Sequence, residues 1–375
     1  MTTLQPKTLG IIGCGTISGA YFAATKKFPV LELRACADLD SAAAQKAAQA
    51  WNVEAESVDA LLARDDVDIV LNLTIPQAHA EVTLAALAAG KHVHLEKPLA
   101  LHTEEGRRVL TAADTADLRV SCAPDTFLGA GQQTCRRLVD DGALGRVVAG
   151  TAFMMNPGHE SWHPNPGFYY LKGGGPVFDM GPYYLTSLVN LLGPVRRVSA
   201  SAAMSYETRT ATSEARRGET FPVEVPTHVS GSLEFHSGAI ITLVMSFDVH
   251  HHTNHPIELH VEHGTLQVPD PNTFGGPVRL RKAGDDTWED QALVNAYSDN
   301  MRGIGAADLA FALQTGRKPR CDSSLAFHVL ETMQALHESS EQGRHIEIQS
   351  KPERPAPLPL GVENGSLGDE LEVSL

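Results

Sequence analysis

With 375 residues and 42% apolar side chains, the chain has the material for two globular domains. Its 45 Asp and Glu against 30 Lys and Arg, a formal net charge of -15, argue against nucleic acid and anionic membranes as partners and disfavour polyphosphorylated substrates. Cys14, Cys36, Cys122, Cys135 and Cys321 have neither metal nor redox spacing and read as small buried residues of a cytoplasmic protein; Met1 to Lys7 is too short for a signal peptide, and no apolar run approaches a membrane span.

The first predicted strand, Thr8 to Ile12, runs into the turn Gly13-Cys14-Gly15-Thr16-Ile17-Ser18 and a helix from Ile17 to Lys27. Gly13 permits a tight turn. Gly15 lets the backbone approach a pyrophosphate, which the first helical N–H groups, at Thr16 and Ile17, can bind. Ser18 stands where this fingerprint usually has glycine or alanine. A second strand, Leu31 to Ala37, ends at Asp38, whose carboxylate suits the two ribose hydroxyls of an adenosine. With Asp40 close by and no cation before Lys46, NAD is expected over NADP. The plainer alternative makes Asp38 the cap of the helix Ser41 to Trp51.

A helix near Val58 to Ala63 and a strand Asp68 to Leu73 follow, and Thr74-Ile75-Pro76-Gln77 leaves that strand at its carboxyl end. Thr74 and Pro76 are expected to line the cofactor cleft, with His79 in the first turn of the helix Ala78 to Ala89. The apolar run Lys91 to Leu95 then delivers Glu96-Lys97-Pro98, which puts a lysine where a nicotinamide ring would lie. A helix Thr103 to Ala116 and a strand Leu118 to Ala123 complete a β-α alternation that predicts an α/β, doubly wound parallel sheet over residues 1–126.

Beyond a helix Ala130 to Asp141 and a strand Arg146 to Met155, apolar and polar residues alternate. Leu243, Met245 and Phe247 oppose Thr242, Val244 and Ser246, and Ile257, Leu259 and Val261 oppose Glu258, His260 and Glu262. This predicts an α+β domain over 127–350 with a mainly antiparallel open sheet, closed by helices Asp299 to Gln314 and Ser323 to Glu341. From 351 to 375, Pro, Gly and acidic residues predict an extended or mobile tail.

Two segments of this second part carry polar chemistry. Gly173-Gly174-Gly175 leads to Asp179-Met180-Gly181-Pro182-Tyr183, where Asp179 and Tyr183 share a helix face if the helix begins by Asp179, with Pro182 in its first turn. A carboxylate beside a phenol can hold a sugar diol and move its proton; the alternative is a helix cap and a packed ring. The loop Asn156 to Lys172 offers Trp162 and His163 as substrate contacts among further aromatics, the alternative being an ordinary loop core. Its His159-Glu160-Ser161-Trp162-His163 matches the H-E-x-x-H of zinc peptidases, but prolines on both sides oppose the helix which that site needs, so no metal is expected. His250 to His252 and His255 read as a polar strand end.

Taken together in order, the Gly13 turn, Thr74-x-Pro76, Glu96-Lys97-Pro98 and Asp179-x-Gly181-x-Tyr183 resemble the glucose-fructose oxidoreductase and inositol dehydrogenase family, Gfo/Idh/MocA. The resemblance implies a Rossmann domain, an open sheet that joins copies into a homodimer or homotetramer, and NAD(P)-linked oxidation of a sugar or cyclitol hydroxyl. It implies Lys97 as the catalytic lysine and Asp179 as the substrate-binding acid. Many members carry histidine where this chain has Tyr183, and the branch of glucose-fructose oxidoreductase and dihydrodiol dehydrogenase carries tyrosine, which leaves the proton acceptor open between Tyr183 and Lys97. Two other functions share this pattern: a redox-assisted glycosidase or lyase that keeps its NAD, and a non-catalytic sugar or NAD sensor.

Overall fold

The computed structural model describes residues 5–368; Met1 to Leu4, and the part of the expected tail from 369 to 375, lie outside the described residues. Six strands form the first sheet: β1 (Lys7–Ile12), β2 (Leu31–Ala37), β3 (Glu54–Glu56), β4 (Ile69–Asn72), β5 (His92–Leu95) and β6 (Val120–Cys122). Their order is β3-β2-β1-β4-β5-β6 and every neighbouring pair is parallel. Helices α1 (Ser18–Lys27), α2 (Ser41–Trp51), α3 (Val58–Leu62), α4 (His79–Ala88) and α5 (Thr103–Ala116) connect them. Leu9, Ile11, Ile69, Val70, Leu71 and Val93 are buried, the continuous apolar pattern of a parallel sheet covered on both faces.

Strand order reverses between β1 and β4, which opens a crevice at the carboxyl edge where the loops after β1, β2, β4 and β5 converge. The strand β3 has no counterpart in the sequence reading. It is a three-residue edge strand of Glu54, Ala55 and Glu56, none of them buried, too short and polar to signal itself.

The second sheet contains β7 (Val147–Met155), β8 (Val195–Ala203), β11 (His228–Phe235), β12 (Ile240–Ser246), β13 (Ile257–Val261), β14 (Gly264–Val268), β15 (Arg279–Lys282), β16 (Glu289–Asp290) and β17 (Ile346–Glu347), while β9 (Thr208–Thr210) and β10 (Thr220–Pro222) make a separate hairpin. Among the described residues, β7 and β12 are the one parallel pair of this sheet. Leu243, Met245, Ile257 and Leu259 are fully buried as the alternation predicts. The remaining helices are α6 (Ala130–Asp140), α7 (Gly175–Leu192), α8 (Ile304–Thr315) and α9 (Ser323–Gln342); α9 packs over β8 and α7 over β12.

Three departures bear on function. The helix α7 starts at Gly175, one turn before Asp179, so Pro176 takes the first turn and Pro182 lies inside the helix. The helix α8 starts at Ile304 instead of Asp299, because Gly303 adopts φ +101° and sends its N–H, at 2.8 Å, to the buried Asp125 carboxylate. Residues 351–368 carry no helix or strand and are docked: the Leu358 N–H bonds Gln133 Oε1 at 2.8 Å, and Leu358, Val362 and Leu367 are buried. Among the described residues no helix is long and apolar enough to cross a membrane.

Candidate active site

Gly13 ends β1 in a left-handed conformation, φ +103°, and a Cβ there would lie 2.6 Å from the Leu73 carbonyl carbon and oxygen. Only glycine fits. The next turn is open: Gly15 and Thr16 are exposed, a Cβ on Gly15 would meet nothing within 4 Å, and Ser18 Oγ closes the turn onto the Gly15 carbonyl at 2.7 Å. No acidic residue occupies the first turn of α1 and no side chain caps it, so nothing anionic in the chain competes for this helix end, although the Ser18 and Ala20 N–H groups already bond the Gly15 and Ile17 carbonyls at 3.1 Å.

The Asp38 carboxylate accepts the Cys14 N–H at 2.7 Å and the Asp40 N–H at 2.9 Å, which fixes it at the rim of the turn. Asp40, not Asp38, caps α2 by accepting the Ala42 N–H at 2.9 Å. The capping alternative for Asp38 thus falls away, and its half-exposed carboxylate is left facing the crevice with no Lys or Arg paired to it among the described residues. Glycine turn, open helix end and acidic strand end fit a dinucleotide.

Thr74 and Pro76 sit half-buried at the end of β4, Thr74 bonded through Oγ1 to Asn72 Oδ1 at 2.7 Å. His79 does not reach the cleft. It is fully buried, with Nδ1 2.6 Å from the Pro98 carbonyl and Nε2 3.0 Å from the Thr74 carbonyl; the ring lies between these two backbone oxygens, and the neutral imidazole donates to one of them, so the histidine joins the loops after β4 and β5. Burial lowers its pKa. The Glu96 carboxylate is likewise occupied by protein, accepting Tyr21 Oη at 2.8 Å and the Lys97 N–H at 3.0 Å.

At the end of β5 the Lys97 ammonium lies 2.8 Å from Asp179 Oδ1 and 2.6 Å from the Asp179 carbonyl oxygen, and 5.3 Å from the centroid of the Tyr183 ring. The lysine and aspartate side chains are 16% and 13% exposed. Burial opposes the charge on Lys97, but the Asp179 carboxylate and the Tyr183 phenol outweigh it and raise its pKa well above the ordinary lysine value. Burial would likewise raise Asp179; Lys97 and then His159 reverse that and hold it well below the carboxylate range. Tyr183 is raised by burial and only partly drawn back by Lys97 and Arg302. Since α7 begins at Gly175, Asp179 is no cap.

Sequence reasoning missed three members of this site. His159 Nε2 lies 3.1 Å from Asp179 Oδ2. The Tyr21 phenol holds Glu96, and the Arg302 guanidinium, tied to the Asn272 carbonyl at 3.1 Å, supplies a second positive field at Tyr183. Tyr21 and Arg302 come from α1 and from the loop before α8, contacts that no local pattern announces. Trp162 and His163 do reach the neighbourhood: the rings lie 5.2 Å apart, Trp162 5.3 Å from His159, and Trp162 is 62% exposed.

The segment that imitates a zinc motif is spent on other bonds. It forms turns, with Glu160 bonded to Arg209 at 2.7 Å and to Tyr170 Oη at 2.8 Å, and among the described residues no three His, Cys, Asp or Glu side chains are grouped to hold a metal. His252 and His255 each bond a backbone carbonyl, while His250 and His251 are exposed.

Residues 7–123 match the oxidoreductase family with an NAD-binding Rossmann fold, GFO/IDH/MocA, and residues 132–267 match the C-terminal domain of the same family. The chain belongs to the Gfo/Idh/MocA family of NAD-binding oxidoreductases. It is 28% identical over 371 residues to the D-glucoside 3-dehydrogenase of Escherichia coli K12, covering 92% of this chain and 99% of that protein. It is 27% identical over 328 residues to a D-xylose 1-dehydrogenase (NADP(+)) of Haloferax volcanii, covering 84% and 92%. The fold matches levoglucosan dehydrogenase in complex with NADH and L-sorbose at a TM-score of 0.80 and 20% identity, over 92% of this chain and all of that one.

The unpaired Asp38 carboxylate generates a first prediction: NAD should bind at least about tenfold more tightly than NADP, a difference of about 1.4 kcal/mol in a calorimetric titration, and a preference for NADP would contradict this reading of the end of β2. The occupied Glu160 generates a second. Dialysis against a chelator should leave activity intact and elemental analysis should find no stoichiometric zinc; activity lost and restored by zinc would reverse the assignment of that loop.

Proposed function

We propose that this chain is an NAD-dependent dehydrogenase that oxidises a secondary hydroxyl of a sugar, cyclitol or glycoside, with Tyr183 as proton acceptor, Lys97 as the charge that stabilises the developing alkoxide, and Asp179 as the group that holds both lysine and substrate. The observation that carries the reading is the Lys97 ammonium, fixed by Asp179 against the Tyr183 ring, at the end of the strand beside the dinucleotide crevice. When bound there, the nicotinamide supplies the hydride acceptor. The names of the relatives, a glucoside and a xylose dehydrogenase, support the substrate class.

The electrostatics favour Tyr183 over Lys97 as the base. With its pKa raised, Lys97 is scarcely ever the neutral amine that could accept a proton, but as a fixed cation it favours both phenolate and alkoxide. Tyr183 is buried and its pKa also raised, so the phenolate is the minor form near neutrality and its fraction grows about tenfold per pH unit. The exposed indole of Trp162 offers a flat apolar face to the C–H side of a sugar and is compatible with a bulky glycoside. A glycoside also admits a redox-assisted elimination, which differs in leaving no net NADH.

A screen of NAD reduction over monosaccharides, inositols and glycosides tests the class: accumulation of NADH with one of them supports it, and none with any overturns it. On the substrate found, Lys97→Ala should lower kcat by about 10² or more while NAD affinity stays within a few-fold, as expected for loss of a positioned acid-base and electrostatic group. The wild-type oxidation rate should climb from neutral to alkaline pH, and Tyr183→Phe should lose most of the rate together with that climb. A Tyr183→Phe enzyme with full activity and an unchanged pH profile would make lysine the base.

A further inference from the structure

His159 has no role in the reading above, yet its surroundings are built. Its side chain is 7% exposed, boxed by the rings of Tyr169 at 3.8 Å, Phe247 at 4.7 Å and Trp162 at 5.3 Å. Nε2 meets Asp179 Oδ2 at 3.1 Å, while Lys97 meets Oδ1 at 2.8 Å, so the two neighbours take opposite oxygens of one carboxylate. Nδ1 is buried with no hydrogen-bond partner among the described residues. An ionised carboxylate only accepts, so Nε2 must carry the ring proton, and a proton on Nδ1 would point into an aromatic box with no acceptor.

The backbone of His159 is fixed as well. Its N–H donates to Tyr170 Oη at 3.3 Å, Tyr170 Oη donates to Glu160 at 2.8 Å, and Glu160 accepts Arg209, whose other terminal nitrogen pairs with Asp248. Asp248 in turn accepts Thr227 Oγ1 at 2.7 Å. Arg209 belongs to β9, so the inserted hairpin β9/β10 clamps the loop that carries the histidine. The glutamate of the zinc-like segment is part of that clamp.

We propose that His159 is a positioning residue: as the Nε2–H tautomer it locks the rotation of the Asp179 carboxylate, and through it keeps the Lys97 ammonium at the reacting hydroxyl. Held on one oxygen only, the carboxylate is free to rotate; the ammonium then keeps the Asp179 carbonyl at 2.6 Å but loses the fixed carboxylate oxygen that sets its second direction, and an error of about 1 Å at a reacting group can cost about 10²-fold in rate. The catalytic consequence rests on the dehydrogenase reading of the site; the tautomer does not.

Two variants separate positioning from packing. His159→Phe keeps an aromatic ring in the box and removes the donor, whereas His159→Gln places an amide N–H near the position of Nε2 and removes the ring. Positioning predicts that, on the sugar found in the screen, His159→Phe lowers kcat by about 10- to 100-fold with NAD affinity within a few-fold, and that His159→Gln recovers most of that loss. Packing predicts the reverse order, and a His159→Phe enzyme at wild-type rate, or one faster than His159→Gln, overturns the proposal. Nitrogen-15 spectra of the histidines in the wild-type protein, with His159→Gln to assign the ring, should show the Nε2–H tautomer; an Nδ1–H tautomer overturns the proposal by itself. If the wild type oxidises no sugar, the functional reading fails while the spectrum still decides the histidine.

Discussion

One buried ion pair joins the two sheets at the proposed reacting centre. Lys97 comes from the end of β5 in the parallel sheet, and Asp179 from the first turns of α7, which packs on the second sheet. Taking two such charges out of water is costly, and removing either partner of a buried pair typically costs about 3–5 kcal/mol because the other is left uncompensated. Here the cost is offset by hydrogen bonds on both groups: the ammonium has the carboxylate and a backbone carbonyl, and the carboxylate has the ammonium and an imidazole. An arrangement so constrained keeps its charge state. Under the proposed dehydrogenase reading, that constancy suits a developing alkoxide and gives the lysine the role of cation, with Tyr183 as the base.

The dinucleotide half of the site depends on a different constraint, the geometry of strand ends. The turn after β1 accepts only glycine at residue 13, the helix behind it leaves its N–H groups uncapped, and the carboxylate after β2 is held by two backbone N–H groups instead of capping α2. These features are local in sequence, which is why they could be read from it. The parallel strands announced themselves as short apolar runs, and Glu96-Lys97-Pro98 directly follows one of them, at the end of β5.

What the sequence hid was either long-range or mispatterned. His79 looked like a cleft residue from its place at the start of α4, but its ring turns inward to two carbonyls, a choice made by the loop after β5 and not by its own helix. The helix α7 does begin by Asp179, as the shared face with Tyr183 requires, but with Gly175 as its first residue Pro182 lies inside the helix instead of in its first turn. Tyr21 and Arg302 reach the site from distant segments. His159 was in plain view inside a motif that belongs to another chemistry: the spacing suggested a metal, whereas the prolines around it make turns that send the histidine to Asp179 and the glutamate to Arg209.

In the proposed reaction Asp179 holds the lysine at the reacting hydroxyl, and a single-turnover experiment with Asp179→Asn measures what that hold contributes. Enzyme preloaded with NAD is mixed with the substrate sugar, and the appearance of reduced nicotinamide is followed by its absorbance. The account predicts a burst in the wild type, slowed by about 10²-fold in Asp179→Asn while NAD affinity stays within a few-fold. A folded Asp179→Asn enzyme that forms bound NADH at the wild-type rate would contradict it.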